Sequence, residues 1–325
     1  MITISGRGVN ANFHESISQI RRIGEKQNSR AGEVMVAPYP VVTITHFPRA
    51  RVLLCPERDS NPFFHLYEAL WMLSGSRDAN LLDHFVKTFS SRFSNEDGIQ
   101  HGAYGYRWRI HFDIDQLEET IQRLARDPLD RRVVISMWDP HADYNGDNVT
   151  LGAQRDVPCN TQMYVRIVNN KLTLTVCCRS NDIIWGAMGS NIVHFSVVQE
   201  WLAARLGCEL GPLYQLSNNW HAYVDVLDKQ RQSQSFADAD FMEKAPLCSS
   251  DDAVLFQFDC EDLVAGADTE AQFRTTWFKN TLVPMLQAHS YFKEGDLQQA
   301  RLRAMQVQSA DWSRAAKEWI ERRMK

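Results

Sequence analysis

Residues 62–73 are apolar at almost every position, which predicts a helix buried on nearly all sides. Pro62 stands at the start of this stretch and Gly75 follows it, as is typical of the two ends of a helix. Glu68 is the acidic residue inside the run. Because a buried carboxylate is costly unless it is paired or functional, Glu68 is either a functional group or part of a narrow polar stripe.

Residues 131–138 and 162–178 are rich in apolar and β-branched side chains and predict strands. Asn169 and Asn170 interrupt the second stretch, and asparagine tolerates left-handed backbone, so we expect a hairpin that turns there. The segment 139–156 between the two stretches is rich in Asp, Asn and Gly, which predicts a polar loop.

Two further parts of the chain have helical patterns. Residues 191–206 predict a helix that begins at Asn191 and ends at Gly207. The segment 269–325 is expected to be mainly helical. Near its end Trp312, Ala315 and Trp319 form an apolar stripe, which is best explained by packing.

The composition is that of an ordinary globular protein, with 325 residues, 44% hydrophobic and 23% charged. The formal net charge is −5 and there is no block of like charges, so neither a basic nucleic-acid groove nor a membrane-surface helix is expected. The N-terminal sequence lacks the apolar run of a secretion signal, and no stretch has the apolar length of a membrane span. We therefore expect a cytoplasmic protein whose anionic substrates are bound by local arginines.

Seven cysteines occur without any Cys-x-x-Cys pair, so neither a disulfide framework nor a zinc ribbon is indicated. Cys177 and Cys178 are adjacent in a predicted strand and should face opposite sides of it. The expectation is free thiols in a reducing compartment and no bound metal.

Five motifs occur in an order that resembles the thymidylate synthase family, which includes the pyrimidine nucleotide hydroxymethylases. They are a Glu-bearing helix at 67–75, a Tyr-Gly-x-x-Trp-Arg segment at 104–109, a double-arginine strand region at 127–140, a Cys segment at 157–160 with its Arg-Ser-Asn-Asp partner at 179–182, and a His-x-Tyr segment at 219–223. Each is common alone, but the five in this order are hard to obtain by chance.

The resemblance covers most of residues 20–225 and implies an α+β fold, with a large mixed sheet, surrounding helices and one sheet face that forms a dimer interface. We accordingly expect residues 1–325 to form a single catalytic domain. Its last part, from about 225 to 325, shows no such match and is expected to be a divergent, mainly helical extension.

Cys159 is the nucleophile implied both by the resemblance and by the chemistry. Carbon 6 of a pyrimidine accepts a thiolate, and this addition makes carbon 5 nucleophilic toward a one-carbon donor, here 5,10-methylenetetrahydrofolate as co-substrate. A thiolate near neutral pH needs nearby positive charge, which Arg179 can supply. Glu68 matches the general acid/base of the family, acting through ordered water.

The resemblance also implies the nucleotide and folate ligands. Arg179, Ser180 and Arg30 match groups that bind the phosphate, and the pair Arg131 and Arg132 matches arginines that a partner subunit contributes to the same phosphate. Guanidinium groups suit this task because they bind phosphate oxygens in bidentate fashion. The sugar 3′-hydroxyl is assigned to His221 and Tyr223, and the folate is assigned to Asp182 and Tyr104.

Asn191 matches the asparagine whose amide recognises the uracil edge, whereas an Asp there would suit cytosine. The loop 186–191 is one residue longer than usual in the family, so Ser190 is the alternative at this position. An amide can also flip, which keeps cytosine open.

Two departures from the family concern the exclusion of water. The stretch 85–93 lacks the tryptophan that closes the site in methyl-transferring members, and the chain ends in a charged rather than an apolar segment. A site that admits water should release a 5-hydroxymethyl product. The favoured reading is therefore a homodimeric dUMP hydroxymethylase, with thymidylate synthase activity next and dCMP or CMP hydroxymethylation after it.

Two other classes stay open. A hydrolase built on Cys159 and His221 is compatible with the residue types, but no glycine-rich nucleophile turn surrounds Cys159. A catalytically inactive homologue that binds nucleotides or RNA would have no reason to retain Cys159, Glu68 and the arginines together, and the net acidity argues against RNA.

Overall fold

The computed structural model describes residues 1–95, 97–144, 156–230 and 236–324. Within these ranges, eight strands form one mixed sheet in which β1, β4, β8, β7, β6 and β5 follow one another, while β3 also pairs with β8 and β2 with β3. The strands are β1 (Ile2–Gly6), β2 (Glu25–Ser29), β3 (Gly32–Val36), β4 (Val41–Thr45), β5 (Val134–Ser136), β6 (Asn160–Val168), β7 (Lys171–Asp182) and β8 (Glu209–Tyr223).

Helices surround this sheet, which agrees with the predicted α+β fold. The α-helices are α1 (Val9–Ile23), α2 (Pro62–Ser74), α3 (Phe89–Phe93), α4 (Tyr104–Arg109), α5 (Gln116–Arg126), α6 (Pro140–Asp143), α7 (Asn191–Arg205), α8 (Val224–Leu227), α9 (Ala253–Val264), α10 (Val283–Glu294), α11 (Leu297–Ala304) and α12 (Ala310–Arg323). Short 3-10 segments occupy Ala79–His84, Ala237–Phe241 and Glu270–Gln272, and π-helical segments occupy Ile183–Ser190 and Phe278–Leu282. In the described part of the chain, no helix is both long and apolar enough to cross a membrane.

Helix α2 forms as its sequence predicts. The side chain of Asn61 accepts hydrogen bonds from the backbone N–H groups of Phe63 and Phe64, and Pro62 stands in the first turn. Gly75 ends the helix in the left-handed region at φ 83°, which favours glycine. Every residue from 62 to 73 is buried, because α2 packs against α7 and α9. This confirms the prediction of a core helix and makes Glu68 a buried acid.

The predicted hairpin is also present, as β6 and β7. Its turn lies at Asn169 and Asn170, whose φ values of 50° and 59° are the left-handed conformation that asparagine tolerates. The strand predicted for 131–138 is shorter than expected, since only Val134–Ser136 is extended and paired. The reason is local: Asp130 accepts the backbone N–H of Arg132 and so bends the chain before the strand begins.

Helix α7 begins at Asn191 and is followed by Gly207, which confirms the predicted helix. The π-helical segment Ile183–Ser190 precedes α7 and contains a kink at Gly189, and Ser190 already has helical backbone angles of −65° and −45°. The side chain of Asn191 is therefore not used as a cap and bonds to other side chains instead.

The C-terminal segment is helical and packs back onto α2. Trp312, Ala315 and Trp319 are buried, which confirms packing as the explanation of their stripe. The ring of Trp319 meets that of Phe63 edge-on at 5.5 Å between centroids. Arg322 and Arg323 form ion pairs with Asp59, which lies in the segment just before α2.

Strand register decides which residues meet at one edge of the sheet. Strands β7 and β8 are parallel, so their carboxyl ends coincide, with Asp182 beside His221. Strand β6 is antiparallel to β7, and its first residue, Asn160, lies opposite Cys178. Strand β3 adds Val36 opposite His221. The beginning of β6 and the ends of β7 and β8 thus form one edge, and the predicted chemistry lies there.

Candidate active site

Cys159 immediately precedes β6, and its surroundings are set by Arg179 near the end of β7. The Arg179 Nε donates to the Pro158 carbonyl at 2.8 Å, and Nη2 donates to the Val157 carbonyl at 2.9 Å. The same Nη2 lies 3.9 Å from the Cys159 sulfur. Burial raises the pKa of the Cys159 thiol, and the charge of Arg179 is the largest influence in the opposite direction.

A second cation, Arg30, influences the same thiol through its charge. Arg30 is exposed in the turn between β2 and β3, and its charge also lowers the pKa of Cys159. Ser180 follows Arg179 in β7, is half-buried and lies opposite Asn219 in β8. The structure therefore brings Arg30, Arg179 and Ser180 to the edge that carries Cys159.

Arg131 and Arg132 are exposed in the segment that precedes β5, and Arg132 is paired within its own chain. Its Nε donates to Asp130 Oδ1 at 2.9 Å and its Nη2 to Oδ2 at 3.2 Å, and this pairing holds the pKa of Asp130 well below its usual range. The described contacts of one chain do not bring either arginine to Cys159.

Asp182 and His221 face each other across the ends of β7 and β8. Burial raises the pKa of Asp182 and lowers the pKa of His221, so both groups are shifted toward their neutral forms. Among the described residues, Oδ2 of Asp182 and Nδ1 of His221 are buried without a hydrogen-bond partner. Tyr223 lies next to His221, with ring centroids 5.7 Å apart. Buried polar atoms without partners are sites where a polar ligand fits.

Tyr104 lies near the thiol. Burial raises its pKa well above the ordinary value, and the next largest causes are negative charge at Cys159 and Asp156. No described contact joins Tyr104 to Asp182, the other residue that the sequence assigned to folate.

Asn191 belongs to a chain of buried amides that sequence reasoning did not anticipate. Its Oδ1 accepts from Asn160 Nδ2 at 3.2 Å, and its Nδ2 donates to Asn181 Oδ1 at 3.1 Å. Asn181 donates in turn to Ser217 at 2.9 Å, and Asn160 Oδ1 accepts from the Cys178 thiol at 2.8 Å. These bonds orient the amide of Asn191. The available signal was the position of Asn160 and Asn181 inside the two central motifs.

Glu68 is paired, which answers the question raised by its place in an apolar helix. It is 5% exposed, and its Oε2 accepts a hydrogen bond from the Ser190 hydroxyl at 2.8 Å. Nε2 of His194, in α7, lies 2.9 Å from the same oxygen. Sequence reasoning missed His194 because it falls inside an otherwise apolar helical run, where a histidine gives no signal of its own.

A tryptophan near the site was also missed. Trp185 is 52% exposed, and the Arg58 guanidinium lies over its ring at 4.0 Å. Arg58 is buried, donates to the Ile184 carbonyl at 3.0 Å and is near Asp182. The stretch 85–93 carries phenylalanines instead, and Phe85 packs against Tyr67 with centroids 4.7 Å apart. Within the described ranges, no group of three or more His, Cys, Asp or Glu side chains is arranged to hold a metal ion.

Comparison with known proteins adds independent information. A family model described as "Thymidylate synthase" matches residues 11–266, which extends beyond residue 225, where we expected divergence to begin. A Pseudomonas phage M6 protein named "Deoxyuridylate hydroxymethyltransferase" is 39% identical over 99% of this chain and 95% of its own length. A Bacillus phage SP01 protein of the same name is 32% identical over 69% of this chain and 60% of its own length. A Francisella philomiragia protein named "Thymidylate synthase" is 27% identical over 52% of this chain and 64% of its own length.

Proposed function

This chain belongs to the thymidylate synthase family, and from that membership we propose that it converts dUMP and 5,10-methylenetetrahydrofolate into 5-hydroxymethyl-dUMP and tetrahydrofolate. The observation that carries the proposal is the edge where Cys159, Arg179, Asp182 and His221 meet, in a chain similar along its whole length to a deoxyuridylate hydroxymethyltransferase. A hydrolase or an inactive binding protein would not need all four of these groups together.

The proposed chemistry starts at Cys159. Its thiolate adds to carbon 6 of dUMP, and carbon 5 then attacks the one-carbon unit of the folate. Loss of the proton from carbon 5 and departure of tetrahydrofolate leave an exocyclic methylene on carbon 5. Water adds to this methylene and loses a proton, and expulsion of the Cys159 thiolate restores the double bond between carbons 5 and 6.

The phosphate and sugar assignments follow the positions of the side chains. Arg179, Ser180 and Arg30 bind the phosphate, because they converge on the edge that carries the nucleophile. His221 and Tyr223 bind the sugar 3′-hydroxyl. The unpartnered Nδ1 of His221 supports this role.

The base and folate are bound by the remaining site residues. Asn191 recognises the uracil edge, and the hydrogen bond from Ser190 to Glu68 supports Asn191 over Ser190 for this role. Asp182 binds the folate pterin, and its unpartnered Oδ2 supports that assignment. Tyr104 adds a hydroxyl near the reacting sulfur, and Glu68 is the general acid/base.

A homodimer completes this site, with Arg131 and Arg132 of a second copy binding the same phosphate. Two properties of the chain support this proposal. Both arginines are exposed in the isolated chain. In addition, one sheet face carries rows of half-buried or exposed side chains across neighbouring strands, including Ile44, Tyr214, Thr175 and Tyr164, as expected for a face that a second subunit covers.

The experiment that tests the reaction is product analysis. The protein is incubated with methylenetetrahydrofolate and, separately, with dUMP, dCMP, UMP and CMP, and products are identified by mass. We expect 5-hydroxymethyl-dUMP and tetrahydrofolate from the dUMP reaction. Thymidylate with dihydrofolate, which is visible by absorbance, would show hydride transfer and establish thymidylate synthase activity instead.

A further inference from the structure

We propose that His194 and Ser190 are positioning residues that hold Glu68 as the base for water capture of the methylene, and so direct the reaction to the hydroxymethyl product. The inference rests on the proposed function and deepens it. The general reaction assigns no role to either residue.

The geometry places both residues on one atom. The Ser190 hydroxyl donates to Oε2 of Glu68 at 2.8 Å, and Nε2 of His194 lies 2.9 Å from that oxygen. Among the described residues, no hydrogen bond reaches Oε1 of Glu68. Two contacts on one oxygen fix the carboxylate and leave the other oxygen for a water molecule or substrate.

The histidine itself carries an unsatisfied group. His194 is 3% exposed, and in the described part of the chain neither of its buried ring nitrogens makes a hydrogen bond, although Nε2 lies 2.9 Å from Oε2 of Glu68. A buried ring nitrogen without a partner is costly unless ordered water or a ligand satisfies it. The unpartnered nitrogens of this buried pair therefore suit a bound water, the molecule that the reaction consumes.

The elements that carry this cluster also lead to the nucleophile. Ser190 precedes Asn191 in the chain, and the Asn191 amide bonds to Asn160, which follows Cys159. The cluster is thus one residue away from the chain of buried amides, of which Asn160 follows the reacting Cys159 in sequence.

A second histidine lies near the cluster without sharing its role. His65 is one helical turn before Glu68 in α2, and burial, followed by the charges of Arg58 and His194, lowers its pKa well below the ordinary value. No described hydrogen bond or ion pair joins His65 to Glu68, so the contact with the carboxylate belongs to His194.

Capture of the methylene by water requires a base. Among the possible fates of the methylene, this requirement belongs to hydroxymethylation and not to methyl transfer. Water forms a bond from its oxygen to the methylene carbon, and the electron pair of the exocyclic double bond moves into the ring carbonyl. The proton released by water goes to Glu68, which His194 contacts at 2.9 Å, and collapse of the enolate expels the Cys159 thiolate. Capture by hydride would release no proton from a nucleophile, so it would not need this pair.

The test measures how the methylene is partitioned. His194→Gln and Ser190→Ala are assayed with dUMP and methylenetetrahydrofolate in the presence of 2-mercaptoethanol, a thiol that also captures the methylene. We expect the ratio of hydroxymethyl-dUMP to thiol adduct to fall by about tenfold or more in His194→Gln, in keeping with the loss of one general-base contribution. Ser190→Ala should shift the ratio in the same direction, and it covers the case in which His194→Gln does not fold.

A matched control separates this effect from loss of any buried imidazole. His289 is 2% exposed and packs on Phe63 of the same helix α2, with centroids 5.2 Å apart, and it has no described contact with Glu68. His289→Gln should keep the wild-type ratio. Covalent trapping of Cys159 by 5-fluoro-dUMP with folate should continue in His194→Gln, because that adduct forms before water capture.

The outcomes separate this inference from the proposed function. If the unmodified protein makes hydroxymethyl-dUMP and both variants keep its product ratio, the role of His194 and Ser190 is wrong and the function stands. If the unmodified protein makes thymidylate and dihydrofolate, the function itself fails and the inference fails with it. A ratio that falls equally in His289→Gln would also overturn the inference.

Discussion

The backbone N–H of Arg179 donates to the carbonyl oxygen of Cys159 at 2.9 Å, so nucleophile and cation are held together by the main chain as well as by side chains. The Arg179 guanidinium bonds to the two residues before Cys159. The distance from this charge to the sulfur is therefore set by strand pairing, which is stiffer than a contact between two mobile side chains.

Cys159→Ser should reduce turnover by at least about 10³-fold while the fold survives, because a hydroxyl is a far weaker nucleophile toward carbon 6. Steady-state assays and circular dichroism provide the two measurements. Cys177→Ser, at a half-buried position in β7, is a matched control that should remain active. Near-normal turnover in Cys159→Ser would refute covalent catalysis by this residue.

The reactivity of Cys159 should increase with pH through a pKa above the ordinary thiol value, since burial outweighs the nearby cations. Arg179→Ala should move the profile to still higher pH, because the charge that stabilises the thiolate is gone. Rates of iodoacetamide modification, followed by mass at Cys159, give the profile, and Arg179→Lys should retain most of the effect. A profile unchanged in Arg179→Ala would contradict this electrostatic role.

Mixing Arg132→Ala chains with Cys159→Ala chains should restore activity, since a heterodimer keeps one site with both groups. Up to about a quarter of wild-type activity is expected from random pairing of two-fold dimers. Arg123 also pairs with Asp130, at 3.1 Å, so Arg123→Ala tests whether a freed Asp130 causes any loss. The trans assignment is wrong if the mixtures remain inactive although heterodimers are detected.

The unmodified protein should prefer dUMP to dCMP by about 10- to 100-fold in kcat/KM, because the wrong base leaves a buried amide group unpaired. Asn191→Asp should move the preference toward dCMP, whose amino group donates to a carboxylate. The substitution also replaces an amide donor to Asn181, so Asn181→Asp serves as a control for disturbance of the amide chain. Preference for dCMP in the unmodified protein would mean that the Asn191 amide is flipped.

Asp182→Asn should abolish folate binding and increase thermal stability. The folded-state pKa of Asp182 is raised by burial, so the folded state binds its proton more tightly than the unfolded state does. As pH rises from the pKa of Asp182 in the unfolded state through its higher pKa in the folded state, ionisation of this acid lowers the free energy of unfolding. The full loss of stability is present at pH values above both pKa values. Melting curves should show that the gain of Asp182→Asn over the unmodified protein grows with pH across this window. A gain independent of pH would show that Asp182 carries no such cost.

The sequence by itself determined the elements whose patterns are local. The apolar run and its end residues specified α2, the two asparagines specified the hairpin turn, and helical spacing specified the C-terminal stripe of Trp312, Ala315 and Trp319. These features follow from backbone periodicity and turn chemistry within a few residues, which a sequence records directly. The motifs also identified Cys159 and Arg179, although only as members of a family pattern.

Only the tertiary structure decided which distant side chains meet. The contact of His194 with Glu68 joins α7 to α2, and the pairing of Asp182 with His221 depends on the register of β7 and β8. Neither contact has a local signature, because each depends on how separate elements pack. The same reason explains the role of the Asn191 side chain: hydrogen bonds to Asn160 and Asn181 from neighbouring strands determine its position, and the sequence records no such distances.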